Sequence, residues 1–206
     1  PSHGMRNNGN TCWFDAFIVA MLADPNKHII TCVQHSPGIP LAGDLMNIRD
    51  FMYRGDQDPN TLRIIRDSVP HNIIPQDPIT PGKQHDGIIT PKIVEKLFHC
   101  GIRIIESTDP LQNEEHTAMF IINNATSLVP SEDKFLLYAH VYYLKAHYTA
   151  CIYLSNGYIY YDDKPNKKIR YLKDDNALQT LERQISPLRK YNIYSKIGEV
   201  ELPGEM

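Results

Sequence analysis

The segment Gly4-Met5-Arg6-Asn7-Asn8-Gly9-Asn10-Thr11-Cys12-Trp13-Phe14 decides how this chain is interpreted. Its first part is polar and rich in turn-forming residues, and Cys12 then opens a run with helical periodicity. One face of that run carries Phe14, Phe17, Ile18, Met21 and Leu22. A cysteine in the first turn of a helix lies near unpaired N–H groups and the positive end of the helix dipole, and both favour the thiolate. Because a thiolate attacks carbonyl carbons, Cys12 is the candidate nucleophile.

A second segment offers the other two groups of a Cys–His–Asp system. Ala146-His147-Tyr148-Thr149-Ala150 is followed by Tyr160-Tyr161-Asp162-Asp163, and Asn156-Gly157 between them predicts a β-hairpin. His147 begins the first strand and Asp162 ends the second, so the hairpin returns both to one end of the ladder. The Asp162 carboxylate can then accept a hydrogen bond from Nδ1–H of His147, so that Nε2 faces the thiol.

An acyl transfer also needs donors for the oxyanion that forms after attack. The backbone N–H of Cys12 is one candidate, and the side-chain amide of Asn7 or Asn10 is another. Gly9 has no Cβ, so it lets this loop bring an amide close to the nucleophile.

Several alternatives stay open at this point. Asp163 competes with Asp162 as the third member, because a one-residue slip moves a strand side chain to the other face. His140 is the competing base, on the strand before His147. Metal sites at Cys32-x-x-His35 or His99-Cys100 are disfavoured, since they offer too few ligands.

The predicted elements change character along the chain. Gly55 is expected to end one helix and Asn60 to cap another, while Thr90-Pro91 and Gly101 bound a fourth. The predicted helices cover residues 11–23, 41–54, 60–67, 90–101 and 176–184, with a proline-rich loop at 70–87. The predicted strands cover residues 102–105, 118–123, 135–145, 148–154, 158–162, 169–172 and 191–195. Helices followed by an antiparallel sheet predict an α+β fold with a cleft between the two halves.

Composition limits the class of protein. The chain has 206 residues with 42% hydrophobic and 22% charged residues and a net charge of −3, which is typical of one globular domain over residues 1–206. A sequence pI of about 6.3 and the lack of a basic stripe argue against nucleic acid as a partner. No apolar run approaches the ~20 residues of a membrane span. Pro1-Ser2-His3 is interpreted as a possible cloning remnant.

Cysteine usage suggests the compartment. If Cys12 is a nucleophile, three cysteines remain of the four, an awkward number for a disulfide framework. A reducing, intracellular setting, in the cytoplasm or the nucleus, therefore fits best. We expect a monomer that needs no cofactor and no metal.

The segment around Cys12 resembles the Cys box of the ubiquitin-specific proteases, which are papain-like deubiquitinases. The segment from Ala146 through Asp163 resembles the His box of that family, and Lys83-Gln84-His85-Asp86-Gly87 is similar to a third motif that precedes a helix near the ubiquitin tail. The three motifs occur in the order of the family. The resemblance implies a papain-like cysteine protease fold, with a helical thumb-like half and an antiparallel-sheet, palm-like half.

The resemblance also implies roles for individual residues. Cys12 would be the nucleophile, His147 the base and Asp162 its orienting acid. Asn7 would be the oxyanion donor, and Asp163 would support that region or replace Asp162. The substrate tail would meet Gln84, Asp86, Ala146 and Tyr148. The reaction implied is hydrolysis of the isopeptide or peptide bond after the C-terminal Gly-Gly of ubiquitin, through an acyl-enzyme.

The sequence departs from the family pattern at several points. Ala146 stands where the family has glycine, and Ile89 stands where the family has glutamate. No Cys-x-x-Cys pair exists, so the zinc-bearing fingers region is expected to be missing, and a ubiquitin-like modifier other than ubiquitin becomes possible. Two other functions remain open: a papain-like protease that cuts a polyprotein at a Gly-Gly-type site, and a catalytically silent module that binds ubiquitin.

Overall fold

The computed structural model describes residues 1–165 and 169–201 of the chain. These residues form six α-helices and seven β-strands, which confirms the predicted α+β class. The helices are α1 (Cys12–Leu22), α2 (His28–Gln34), α3 (Pro40–Arg54), α4 (Thr61–Ser68), α5 (Ile89–Phe98) and α6 (Asp175–Ile185). The strands are β1 (Ile102–Ile105), β2 (Met119–Asn123), β3 (Phe135–Leu144), β4 (His147–Leu154), β5 (Gly157–Tyr161), β6 (Arg170–Leu172) and β7 (Arg189–Lys196).

The strands form one sheet in the order β1-β2-β7-β3-β4-β5-β6. The prediction of an antiparallel sheet is wrong at one edge, because β1 and β2 pair in parallel. Residues 106–118 join these two strands and are long enough for the crossover that a parallel pair requires. The other five pairs are antiparallel. The pair that matters for the site is β4 with β5, because Ala150 faces Tyr161 there.

Helix α1 lies at the centre of the molecule. All eleven of its residues are buried, so the expectation of one apolar face understates its environment. A helix that is apolar almost all round belongs in a core, and α1 packs with residues of β3, β4 and α5 in the largest cluster of buried side chains. Asp15 is the charged residue of this otherwise apolar helix, and it is buried as well.

The opposite face of the sheet is covered by α6. A smaller cluster of buried side chains lies there, made of Tyr142, Cys151, Tyr160, Leu172, Leu178 and Leu181. Because side chains alternate along a strand, β3 sends Val141 toward the α1 side and Tyr142 toward the α6 side. The sheet is therefore buried on both faces where α1 and α6 pack against it.

Two helix boundaries follow the predictions. Gly55 ends α3 in the left-handed conformation, with φ of 72°. Asn60 caps α4, because its Oδ1 accepts a hydrogen bond from the Arg63 N–H at 3.0 Å. Residues 70–87 contain no helix or strand, as predicted for the proline-rich loop.

Other boundaries correct the predictions. Helix α5 starts at Ile89, so Thr90 is not its cap; the buried Thr90 hydroxyl donates to the Trp13 carbonyl at 3.1 Å. His99, rather than Gly101, ends α5 in the left-handed conformation. Leu154 pairs with Gly157 across the β4–β5 hairpin, which places the turn at residues 155–156, one position earlier than predicted.

Helix α2 was not predicted. It follows Asp24, whose carboxylate accepts hydrogen bonds from the Asn26 and His28 N–H groups at 2.9 and 3.0 Å. The Asp24-Pro25 pair therefore ends one helix and helps to start the next.

The N-terminal tripeptide is packed against the protein. The N–H groups of Ser2 and His3 donate to the Met52 carbonyl at 2.9 and 3.1 Å, and the His3 ring contacts Phe51. Among residues 1–165 and 169–201, no helix combines the length and apolar character that crossing a bilayer requires.

Candidate active site

Cys12 is the first residue of α1, and Thr11 precedes it as the N-cap. The loop before it turns through two residues with positive φ, Gly9 at 82° and Asn10 at 60°. Glycine adopts this conformation without strain, which agrees with the role predicted for Gly9. The thiol therefore lies at the positive end of the helix dipole, as the sequence predicts. Cys12 is only 2% exposed.

His147 and Asp162 meet at the end of the β4–β5 hairpin. His147 is the first residue of β4, and Asp162 directly follows the last residue of β5. The Nε2 atom of His147 lies 2.8 Å from Oδ1 of Asp162. This pairing corrects the prediction that Nδ1 would face the acid; Nδ1 is instead the ring nitrogen left for Cys12. Either nitrogen can pair with a carboxylate, so the sequence carries no information about the rotation of the ring.

The electrostatics of these residues favour a charged imidazole. Burial alone would lower the pKa of His147, but hydrogen bonds to Asp162 and Cys12, together with their charges, raise it to about 9. Burial likewise works against ionisation of Asp162, but hydrogen bonds from His147 and the Lys164 N–H hold the pKa of Asp162 below its usual value. The imidazole is therefore favoured in its charged form beside Cys12, with Asp162 behind the ring.

Asp163 occupies a different position from Asp162. Its Oδ1 is 3.9 Å from Nε2 of His147, beyond hydrogen-bonding distance. Burial raises the pKa of Asp163, whose carboxyl group also interacts with that of Asp15 on α1. The geometry thus gives Asp162 the orienting position and places Asp163 next to the loop before the nucleophile.

Asp15 was missed by the sequence analysis. It is fully buried three residues after Cys12, and burial followed by the neighbouring Asp163 raises its pKa well above the usual value. The available signal was a carboxylate inside a helix whose other positions are almost all apolar, a combination that requires a partner.

The two candidate amide donors differ in their surroundings. The Asn7 N–H donates to the Asp163 carbonyl at 2.9 Å, and Asn7 Oδ1 accepts from the Thr11 N–H at 3.3 Å. These bonds hold Asn7 beside the start of α1. The Nδ2 of Asn10 donates instead to the Gly82 carbonyl at 3.1 Å, in an exposed position. Asn10 therefore ties the loop to residues 80–83, and Asn7 is the better placed donor.

Gln84 lies closer to the nucleophile than its predicted role along the substrate tail suggests. Its side-chain amide contacts Cys12 Sγ, with Nε2 at 3.5 Å and Oε1 at 3.6 Å. An amide N–H at this place can donate to an oxyanion that forms on a carbonyl bound to the sulfur. Gln84 is thus a second candidate oxyanion donor, and it also covers the thiol.

Asp86 and Tyr148 form one network with a residue that was not predicted. The Tyr148 hydroxyl donates to Asp86 Oδ1 at 3.0 Å, and Arg189 Nη1 lies 3.4 Å from Asp86 Oδ2. Gly87 permits this packing, because a Cβ there would lie 2.7 Å from the Tyr148 ring and 2.8 Å from Phe17. These residues fix the 84–88 segment against α1 and β4.

Ala146 is exposed in the turn before β4 with φ of 53°. This left-handed conformation is unfavourable for a residue with a Cβ. The conformation gives a physical reason why glycine would suit the position, beyond any effect on the substrate.

The competing base His140 lies on the α6 side of the sheet, away from α1. Its Nδ1 pairs with Asn192 Oδ1 at 2.9 Å and its Nε2 with the Tyr153 hydroxyl at 2.6 Å. Burial, followed by the charge of Lys190, lowers the pKa of His140 to about 3. His140 is therefore a neutral structural residue at ordinary pH.

In the structure, potential metal ligands come together at a place other than Cys32-x-x-His35 and His99-Cys100, the sites that the sequence disfavours. Within the described part of the chain, the group of three potential ligands that lie close together is His147, Asp162 and Asp163. Two of these are already paired with each other in the site described above.

Comparison of the chain with protein-family models and with curated proteins found no match. The functional interpretation therefore rests on the residues and their geometry.

Proposed function

We propose that this chain is a cysteine peptidase that hydrolyses the bond after the C-terminal Gly-Gly of ubiquitin or a ubiquitin-like modifier. The observation that carries the proposal is the meeting of Cys12, at the start of α1, with His147, which Asp162 holds from behind. Such an arrangement is suited to attack by a thiolate and to proton transfer through an imidazole.

The chemistry follows from the residues. Cys12 gives its proton to His147, and the thiolate attacks the carbonyl carbon of the terminal glycine. Donors from Asn7, Gln84 and the Cys12 N–H receive the oxyanion. His147 then protonates the leaving amine, and a water molecule deprotonated by His147 releases the acyl group.

The proposal extends to the fold. Helices α1 to α5 would form the thumb-like half of a papain-like enzyme, and the sheet with α6 would form the palm-like half. In support, the nucleophile lies on a helix of the first half and the base on a strand of the second. The proposed palm-like half carries no fingers region; the longest connections between its strands within residues 102–165 are residues 106–118 and 124–134.

An electrophilic ubiquitin probe tests the activity. We expect a ubiquitin with a C-terminal electrophile to form a covalent adduct at Cys12, and we expect none with Cys12→Ala. Cys32→Ser is the matched control, because Cys32 is a partly exposed cysteine outside the site, and this variant should label as the wild type does. Labelling of Cys12→Ala, or no labelling of the wild type by ubiquitin or any ubiquitin-like probe, would contradict the proposal.

Two alternatives give different results in a second assay. A polyprotein protease would cleave a short Gly-Gly-containing peptide as well as the full-length modifier, whereas a deubiquitinase gains greatly from the folded globule. A silent binding module would bind ubiquitin without turnover of an isopeptide-linked fluorophore.

A further inference from the structure

Two buried carboxyl groups face each other behind the nucleophile. Asp15 is 0% exposed and Asp163 is 2% exposed, and the two carboxyl groups interact with each other. Within the described residues, Asp15 Oδ1 and both oxygens of Asp163 are buried and have no well-aligned N–H or O–H donor. Two ionised carboxylates in this contact would repel each other in a region of low dielectric. One proton between them removes the repulsion and supplies the missing donor.

The pair completes a ring of contacts around the loop before Cys12. The Thr11 hydroxyl donates to Asp15 Oδ2 at 2.9 Å, and the Thr11 N–H donates to Asn7 Oδ1 at 3.3 Å. The Asn7 N–H donates to the Asp163 carbonyl at 2.9 Å. The contact between Asp163 and Asp15 closes the ring. This contact joins helix α1, which carries Cys12, to the segment that carries Asp162 and Asp163.

The surroundings show which carboxyl holds the proton. Asp163 lies 3.9 Å from His147 Nε2 and beside the Asn7 amide, and both favour its charged form. Within residues 1–165 and 169–201, no cation acts on Asp15; its neighbours besides Asp163 are the hydroxyls of Thr11 and Thr61. Among the described residues, Asp162 also acts on Asp163, and both buried carboxyl groups act on Tyr161; neither Asp162 nor Tyr161 is a cation at neutral pH. The charge therefore rests on Asp163 and the proton on Asp15.

We propose that Asp15 is a protonated carboxylic acid at neutral pH and that its O–H, donated to the Asp163 carboxylate, holds Asn7 in position beside Cys12. Asp15 is a positioning residue, since it acts on the reaction through Asp163 and Asn7. Its effect on turnover rests on the proposed hydrolase function, whereas the shared proton is a property of the folded chain alone.

Infrared spectroscopy detects the proton directly. With carbon-13 label in the aspartate carboxyls, the protein at neutral pH is expected to show the carbonyl band of a protonated carboxylic acid. The band should vanish in Asp15→Asn and remain in the control Asp109→Asn, which alters an exposed aspartate. Absence of the band in the wild type, or its persistence in Asp15→Asn, would overturn the inference.

Unfolding provides a second readout. A carboxyl whose folded pKa lies above its unfolded value releases a proton on unfolding, so stability falls as pH rises from about 4 through the folded pKa. Across that window the unfolding equilibrium constant of the wild type should rise up to about tenfold per pH unit relative to Asp15→Asn. Identical pH dependence of the two proteins would overturn the inference.

Turnover tests the positioning role. Asparagine can donate from Nδ2 to Asp163 and keep the ring closed, so Asp15→Asn should retain kcat within about threefold. This variant should also lose less kcat at alkaline pH than the wild type, because it has no shared proton to release. Asp15→Ala opens the ring and should lower kcat at least about tenfold with little change in KM, because Asn7 acts on the oxyanion. Equal loss in both variants would overturn the positioning role.

The outcomes also separate this inference from the proposed function. A folded protein with the infrared band and no hydrolase activity would support the shared proton and overturn the positioning role along with the hydrolase. Full activity without the band would overturn the inference and leave the hydrolase standing.

Discussion

At the scale of residues, the site is defined by which atoms face each other. Cys12 and His147 lie far apart in sequence, and Asp162 holds the imidazole through Nε2 at 2.8 Å. The charged imidazole is the consequence of that contact and of the neighbouring thiol, because burial alone would lower the pKa of His147. The pH dependence of catalysis should therefore depend on Asp162.

The alkaline limb of the pH–rate profile, where activity falls at high pH, tests this dependence. In the proposed reaction His147 must be protonated to give its proton to the leaving amine, so kcat/KM should fall as pH rises through about 9. In Asp162→Asn, the contact with Cys12 alone opposes the effect of burial on the pKa of His147, so the limb should move to lower pH, with activity at neutral pH at least about tenfold lower. A pH–rate profile of both proteins measures the shift. An unchanged limb in Asp162→Asn would contradict the assignment.

Gln84 should have two separable effects. Its amide covers the thiol at 3.5 Å, so Gln84→Ala is expected to speed alkylation of Cys12 by iodoacetamide. If the same amide receives the oxyanion, turnover should fall by about 10²-fold. Gln112→Ala is the matched control, because Gln112 is an exposed glutamine between β1 and β2, and it should change neither rate by more than about twofold. Slower alkylation in Gln84→Ala would rule out the covering role.

His140 should make the fold sensitive to acid. Its folded pKa is about 3, below the unfolded value of about 6.5, so the unfolded chain binds the extra proton between these values. Stability should fall as pH drops below about 6.5, by up to about 1.4 kcal/mol per pH unit from this residue. Urea unfolding of the wild type and of His140→Gln measures the difference. Equal acid sensitivity of the two proteins would contradict the neutral, buried state of His140.

At the scale of elements, the turn before β4 is a point of strain. Ala146 has φ of 53°, which glycine adopts more easily. Ala146→Gly should therefore raise the free energy of unfolding by about 1 kcal/mol. Ala177→Gly in the first turn of α6 should have the opposite sign, because glycine weakens a helix. Denaturant unfolding compares them, and destabilisation by both substitutions would show that the turn is not strained.

The elements also show what the sequence could predict. Asn60 and Gly55 act locally through capping, so their helix ends were predictable. The start of α5 was not, because the Thr90 hydroxyl bonds to the Trp13 carbonyl, a contact between residues distant in sequence. The parallel pairing of β1 with β2 depends in the same way on packing that a short window does not contain, whereas the start of α2 carries a local signal in Asp24 that was overlooked.

The candidate site, too, has a part that could be predicted from local sequence and a part that could not. Cys12, His147 and Asp162 were predictable, because a helix start and a hairpin place them by local rules. The rotation of the His147 ring and the contact of Gln84 with the thiol were not, because each depends on the meeting of separate segments. Asp15 was visible as an acidic residue within the apolar run of α1, but its partner Asp163 comes from the segment after β5.

At the scale of the whole molecule, α1 is the element that joins the two halves. It is buried on all sides, packs against the sheet and presents Cys12 at its first turn. The sheet brings His147 to the same place at the start of β4. The central claim is that these two side chains form one proton-sharing unit.

The pH dependence of Cys12 alkylation tests that claim most directly. The rate of modification by iodoacetamide, located by mass spectrometry, should be compared in the wild type and in His147→Ala, with circular dichroism to verify folding. The wild type should react much faster at neutral and mildly acidic pH, and the two rates should converge above about 8.5, where an ordinary thiol ionises without help. Overlapping profiles across the whole range would contradict the account.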